Sequence, residues 1–223
     1  MDKNSEVLKI KLRYDKRKGK NHDTNWIFSF FIQSEREFIY TKIVRKFTSQ
    51  LSKIKIIEIG AGTGSNLLFF HRMGIPFTNI YANELLEDRG AVLKKNLPIP
   101  NIYIGDACEL NYNEEFDIVF QSTVFTSILD DEFKKKLADT MWEMVKTTGI
   151  ILWYDFKYNN PNNLDVKGIG KKEIKMLFPL AKDIEFYNVT LAPPIGRRIG
   201  KLYNILNFFL PFLRTHLIAV IKK

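Results

Sequence analysis

Ile54-Lys55-Ile56-Ile57-Glu58-Ile59-Gly60-Ala61-Gly62-Thr63-Gly64 reads as a short apolar strand running into a glycine-rich turn, after which the chain takes up helical spacing. Strand, turn and helix start in that order form the frame of a nucleotide-type cofactor site. Glycines in the turn permit positive φ and leave no Cβ between backbone and ligand. A dinucleotide fingerprint of the G-x-G-x-x-G kind needs its third glycine at position 65, where Ser65 stands. Counted from Glu58, the pattern is acid-x-Gly-x-Gly-x-Gly.

Outward from this turn the chain alternates. Residues 55–59, 79–83, 101–104, 117–121 and 150–154 read as strands, and 65–73, 87–96 and 131–145 as helices. Short apolar strands between amphipathic helices predict a parallel, doubly wound α/β sheet covered on both faces. Ahead of it, residues 1 to about 23 read as irregular with a short strand over 7–12, followed by a short helix over 25–33 and a longer one over 35–51. Behind it, 184–191 and 215–221 read as two more strands without a complete crossover helix of the earlier kind. Between these two lies an insert, 192–214, longer than a hairpin needs. It carries Pro193-Pro194, Arg197-Arg198 and an apolar helix over 203–210 stopped by Pro211. The expected organisation is one domain over 1–223, with an N-terminal arm and lid helices in 1–50.

Composition narrows the class. A chain of 223 residues with 45% hydrophobic and 26% charged residues suits a globular α/β domain. The single cysteine, Cys108, excludes an internal disulfide framework and fits the cytoplasm. The first twenty residues are lysine-rich with no apolar signal segment, and the apolar run 205–213 is too short to span a membrane. The net charge of +9 gathers at the two ends, and no acidic residue follows Glu185. That balance suits an anionic partner, whether nucleic acid, a phosphate-bearing substrate or an acidic membrane surface; a solvated basic face reads the same way.

The glycine turn and three downstream carboxyl-end segments together resemble the class I S-adenosylmethionine-dependent methyltransferases. Those segments are Asn83-Glu84-Leu85, Gly105-Asp106-Ala107 and Phe120-Gln121-Ser122. The resemblance implies a Rossmann-like, doubly wound α/β fold with a seven-stranded sheet whose last strand, 215–221, is antiparallel. It implies S-adenosyl-L-methionine as cofactor and S-adenosyl-L-homocysteine as product. Carried over residue by residue, the cofactor would lie against Glu58, Gly60, Ala61, Gly62, Gly64 and Asn66. Glu84 and Leu85 would take the ribose, Asp106 and Ala107 the adenine, and Gln121 and Ser122 the rim of the fourth strand.

A sulfonium is already activated, so the protein must align the acceptor, exclude water and remove a proton if the acceptor is a hydroxyl. Asp155 is the best-placed base candidate by sequence, although a carboxylate there can equally cap the turn after its strand. His22 in the N-terminal segment is the second. His71, on the helix after the glycine turn, reads as packed or exposed, His216 as structural and Cys108 as a small core residue, and no spacing suggests a metal. Asn159 and Asn160 could orient a polyhydroxylated acceptor, and Asn-Pro-Asn-Asn is also good turn chemistry.

Gln121-Ser122-Thr123-Val124 stands where methyltransferases of nucleobase amines carry an Asn/Asp-Pro-Pro-aromatic tetrapeptide. A closer likeness, through residues 121–127, 153–161, 165–168, 191–194 and 213–216, is to a bacterial subgroup of small class I (type 11/12-like) methyltransferases associated with polysaccharide and secondary biosynthesis. It implies O-methylation of a sugar or glycan intermediate, with Arg197 and Arg198 facing a phosphate. A small-molecule or glycan acceptor and a cytoplasmic or inner-membrane-surface location go with that reading. The competing readings are an RNA acceptor held by the basic N-terminal arm, a non-catalytic membrane-surface or partner-binding protein, and, last, a nicotinamide oxidoreductase.

Overall fold

The computed structural model describes residues 3–16, 26–161 and 163–223; His22 lies outside them. Two helices come first, α1 (Lys3–Asp15) and α2 (Trp26–Phe47). The alternating body follows as β1 (Ile56–Ile59), α3 (Ser65–Met73), β2 (Ile80–Glu84), α4 (Glu87–Asn96), β3 (Asn101–Ile104), β4 (Phe116–Ser122), α5 (Asp131–Met144) and β5 (Val145–Phe156). The chain then runs through α6 (Lys171–Leu177), β6 (Asp183–Leu191), α7 (Pro193–Ile199), α8 (Tyr203–Phe209) and β7 (Arg214–Lys222).

The seven strands form one sheet in the order β3-β2-β1-β4-β5-β7-β6. The first five pair in parallel, and β7 runs antiparallel to both β5 and β6, as the resemblance implies. Strand order reverses between β1 and β4, so the turn after β1 opens at the switch point, where ligands bind such sheets. Successive side chains of each strand point to opposite faces, and both faces are covered. Ile56, Phe120, Leu152 and Tyr154 join Tyr40 and Val44 of α2 and Leu67 and Phe70 of α3. Ile57, Ile59, Val119 and Trp153 join Leu137 and Met141 of α5 and Ile174 of α6.

Three sequence expectations are corrected. Residues 7–12 are helical, because Glu6, Ile10 and Arg13, one helical face, point inward while Leu8 and Leu12 of the apparent alternation stay exposed. The helices expected over 25–33 and 35–51 are one 22-residue helix. A short crossover helix, α6, does precede β6.

The break that sequence suggests within α2 is polar for a different reason. Glu35 staples the insert to the sheet: its Oε2 accepts the Thr190 amide at 3.0 Å and the Tyr203 hydroxyl at 2.9 Å, and its Oε1 accepts Asn207 Nδ2 at 2.7 Å. Arg214 holds the far side, donating to Asn207 Oδ1 and to the Asn207 carbonyl. Glu35→Ala leaves a buried amide and Asn207 without acceptors. It is expected to lower stability by about 2–4 kcal/mol in urea titration, with Glu35→Gln losing less than half of that.

Candidate active site

The glycine turn is bound to the neighbouring strand at two points. Ala61 N–H donates to the Asn83 carbonyl at 2.8 Å, and Gly62 N–H to Glu84 Oε2 at 2.7 Å. Glu84 Oε1 accepts the Leu86 amide at 3.0 Å, so two backbone amides orient this buried carboxylate. Gly62 has φ +61°, and a Cβ there would strike the Arg89 guanidinium. Gly64 serves packing instead: a Cβ would stand 2.6–2.7 Å from Leu97 and Leu93, the side of α4 on which α3 starts.

Glu58, the acid that opens the motif, is fully buried. Its Oε1 accepts Asn66 Nδ2 at 2.7 Å, while Oε2 has no hydrogen-bond partner among the described residues. Burial pushes this carboxyl up to about 8, against the pull of the Asn66 hydrogen bond and the Arg36 charge. Arg36 reaches in from α2, donating from Nη1 to Ser122 Oγ at 3.3 Å and lying 4.6 Å over the Tyr154 ring. Its Nε and the Tyr40 hydroxyl are likewise buried without partners. Burying one unsatisfied polar atom costs about 1–3 kcal/mol, so three around the ends of β1, β4 and β5 are a prepared polar site. One unpaired carboxylate oxygen beside a guanidinium suits a zwitterionic amino-acid group, ammonium on Glu58 and carboxylate on Arg36.

A narrow cavity continues from there. Of the residues predicted for the cofactor, Gly60, Glu84, Leu85, Asp106, Ala107 and Ser122 line it, and Ile10 and Tyr14 of α1 cover it with Arg89. Asp106 caps the short turn after β3 by accepting the Cys108 amide on Oδ1. Burial, with the Asp106 charge, pushes the Cys108 thiol up to about 12, which makes it a poor nucleophile. Gln121 is not brought to this cavity: its Nε2 donates to Asp155 and its Oε1 accepts the Val124 amide. Asn66 acts on Glu58 rather than lining the space.

A second cavity of about 680 Å³ adjoins the first and shares Tyr14, Thr123 and Ser127 with it. That volume falls within the range of small-ligand sites, about 300–1,000 Å³. Asn159, Asn160 and Arg197 line it, whereas Arg198 is exposed and does not. Thr123, between the two spaces, holds φ +60°, a conformation that β-branched residues adopt only under tertiary constraint.

Asp155 lines neither cavity. It is fully buried, accepting Thr126 Oγ1 at 2.6 Å and Gln121 Nε2 at 2.9 Å, and burial raises it to about 7. Its geometry is that of the capping alternative, tying the end of β4 to β5. His216, read from sequence as structural, lines the second cavity instead. Its ring stacks on Tyr154 at 5.3 Å, Nδ1 lies 3.0 Å from Thr215 Oγ1, and burial with the Arg36 and Lys157 charges lowers it to about 4. Sequence alone also passed over Arg36, though the three charges Glu35-Arg36-Glu37 inside the aromatic-rich Trp26–Tyr40 run were a signal for it.

A methyltransferase-domain family model matches residues 57–153. No curated protein matches the chain. Among solved structures, a SAM-dependent methyltransferase from Archaeoglobus fulgidus is similar at TM-score 0.59 and 16% identity, covering 88% of this chain and 99% of that one. The CMeT domain of the citrinin polyketide synthase is similar at TM-score 0.62 and 13% identity, covering 86% and 52%. Haemonchus contortus phosphoethanolamine N-methyltransferase 2, solved with phosphomonomethylethanolamine and S-adenosylhomocysteine, is similar at TM-score 0.57 and 16% identity, covering 81% and 51%. At these identities the solved structures speak for the fold, and the matched segment, which starts just before Glu58 and ends at Trp153, speaks for the domain. Residues 57–153 thus match a methyltransferase domain, and the chain folds as S-adenosylmethionine-dependent methyltransferases do, with the glycine turn at the switch point of the sheet.

Proposed function

We propose that the enzyme methylates a hydroxyl of a small polar acceptor, a sugar or glycan intermediate carrying a phosphate, with His216 receiving the proton. The observation that carries this reading is the second cavity, which meets the first at Thr123 and brings together amides, a guanidinium and a neutral imidazole. Asn159 Oδ1 already accepts the Gly168 amide, which holds its side chain in place at the cavity wall. Arg197 supplies positive charge for a phosphate. The phosphate-bearing compound bound to the nematode enzyme supports that part by analogy of fold only.

Glu58 and Arg36 would hold the amino-acid end of the cofactor, Glu84 the ribose and Asp106 the adenine; the bound cofactor supplies an electrophilic methyl group. The chain's own work is then positioning. Glu84 is held by two amides, Thr123 by the hydrogen bond of its amide to the Tyr154 carbonyl, and Asp155 locks Gln121 and Thr126 beneath the acceptor cavity. His216 stays neutral through the physiological range and can take a proton as the oxygen attacks.

The test is transfer of radiolabelled methyl groups to nucleotide-sugars, sugar phosphates, unphosphorylated sugars and bulk RNA in parallel. An alkali-stable methyl ether on a phosphorylated sugar is the expected product. Labelling of RNA alone would reject the acceptor assignment while leaving the methyltransferase standing.

A further inference from the structure

We infer that the insert between β6 and β7 is a docking face for an anionic lipid bilayer, which the protein would bind from one side. Helix α8 is packed inside out. Its buried face is Tyr203 and Asn207, whose polar groups are spent on Glu35, the Leu191 amide and Arg214. Its outward residues are Asn204, Ile205, Phe208 and Phe209, continued by Phe212, and Phe208 and Phe212 are each 74% exposed. Four polar contacts fix that orientation, so the rings cannot turn inward without breaking the Glu35 staple.

The apolar exposure extends to a second element. The start of α2 packs on the insert through Phe28 and Phe31, both against Tyr203, and it leaves Trp26 and Phe30 exposed. Single exposed apolar side chains are ordinary, but a group of large rings on elements packed together marks an interaction surface. No helix among the described residues is long and apolar enough to cross a membrane, so a bilayer would be met at its interface.

Charge selects the occupant. Arg197, Arg198 and Lys201 stand exposed on the same insert, which carries no acidic residue over 192–214. Aromatic rings beside bases, on an insert without acids that could pair with a protein's lysines and arginines, match an acyl–headgroup boundary carrying anionic phosphates. Arg197 also lines the acceptor cavity, so docking here would set the mouth of that cavity beside the lipid surface. This inference stands whatever the acceptor proves to be.

The experiment is sedimentation of the full-length protein with phosphatidylcholine vesicles, with and without phosphatidylglycerol, at low and near-physiological salt. Binding is expected to be at least about tenfold stronger to the anionic vesicles and to weaken with salt. Trp26 emission should shift to the blue on binding, and Trp26→Phe should remove that shift. A triple variant, Phe208→Ser, Phe209→Ser and Phe212→Ser, should lose about tenfold or more of the binding. Its circular dichroism and its affinity for S-adenosylmethionine should stay unchanged, which separates a lost surface from a lost fold. Equal binding of variant and parent to vesicles would overturn the inference. So would a concentration-dependent dimer, abolished in the triple variant, from a protein that ignores vesicles, because the face would then belong to a second copy.

Discussion

Glu58→Gln is expected to weaken S-adenosylmethionine binding by about 10–100-fold while making the unliganded protein more stable at alkaline pH. Both effects come from one unpaired oxygen. A charge-assisted hydrogen bond to a buried carboxylate contributes about 1.5–3 kcal/mol, which is the stated loss in affinity. The stability effect follows from protonation. Burial raises the folded carboxyl to about 8 from an ordinary 4.5, so between those values the folded protein holds a proton that the unfolded chain has released. Stability therefore falls as pH rises through that window and levels off above it. Glutamine is neutral throughout, so the variant should gain on the order of 1–3 kcal/mol over the parent above pH 8 and match it near pH 5. Denaturant titrations at the two ends of the window read this directly. Calorimetry supplies an independent sign: an ammonium binding to Glu58 favours its ionised form, so near pH 7 cofactor binding should release roughly one proton in the parent and none in the variant. A pH-independent affinity in the parent would remove Glu58 from the cofactor site.

Asp155 adds to the same trend. Its carboxyl is raised by burial to about 7, so its share of stability also falls with rising pH, over the window up to that value. Asp155→Asn does not simply remove this loss. Gln121 Nε2 and Thr126 Oγ1 each donate to a separate Asp155 oxygen, and an asparagine offers one acceptor in place of two, so one of these donors loses its partner or the Thr126 hydroxyl must turn to accept. The expected result is a stability loss of about 1–3 kcal/mol, a structural effect that any activity measurement must be corrected for.

The contrast between these carboxylates shows how far the sequence could be read. Glu58, Glu84 and Asp106 are local to strand ends, and strand–turn–helix periodicity places strand ends well; all three stand at the carboxyl edge of the sheet. The doubly wound parallel sheet was legible because α3, α4 and α5 announce themselves as helical runs between short apolar strands, whereas the order β3-β2-β1-β4-β5-β7-β6 is set by long-range pairing that no local pattern states. Arg36, Tyr14 and His216 were not legible as site residues. Each reaches the site by long-range packing: α2 across the sheet ends, α1 over the cavity mouth, and β7 through its antiparallel register with Phe156. No local pattern encodes such juxtapositions. The strand expected over 7–12 failed for a related reason, since Leu8, Ile10 and Leu12 alternate in sequence while only Ile10 has a core to meet. Asp155 was placed at the right strand end, but which way its side chain points depends on the Thr126 and Gln121 partners that the tertiary fold provides.

His216→Gln and His216→Ala are expected to lower kcat by about 10²–10³, the usual range for a general base, with S-adenosylmethionine affinity unchanged. The separation arises because His216 lines the acceptor cavity and not the cofactor cavity. The pH profile distinguishes it from a residue that only packs on Tyr154. With its ring lowered to about 4, His216 is already neutral across the range in which the protein would be assayed. At saturating cofactor, kcat should therefore be level between about pH 5 and 8 in the parent. By contrast, kcat/KM for the cofactor should fall as pH drops below about 8, through protonation of Glu58. A limb of kcat near pH 7 that vanishes in Asp155→Asn would instead assign the proton transfer to Asp155, through an opening of the β4–β5 rim that frees it from Thr126 and Gln121. A low-pKa imidazole is a weak base, so its use makes sense only where the hydroxyl gains acidity as the methyl group is transferred and where the acceptor's own charge helps. A phosphate held near Arg197 would raise the imidazole by its field, and phosphorylated acceptors should accordingly react faster at saturation than their unphosphorylated counterparts. Equal kcat for the two would leave phosphate recognition as a binding effect alone, and His216 as a base that works without that help.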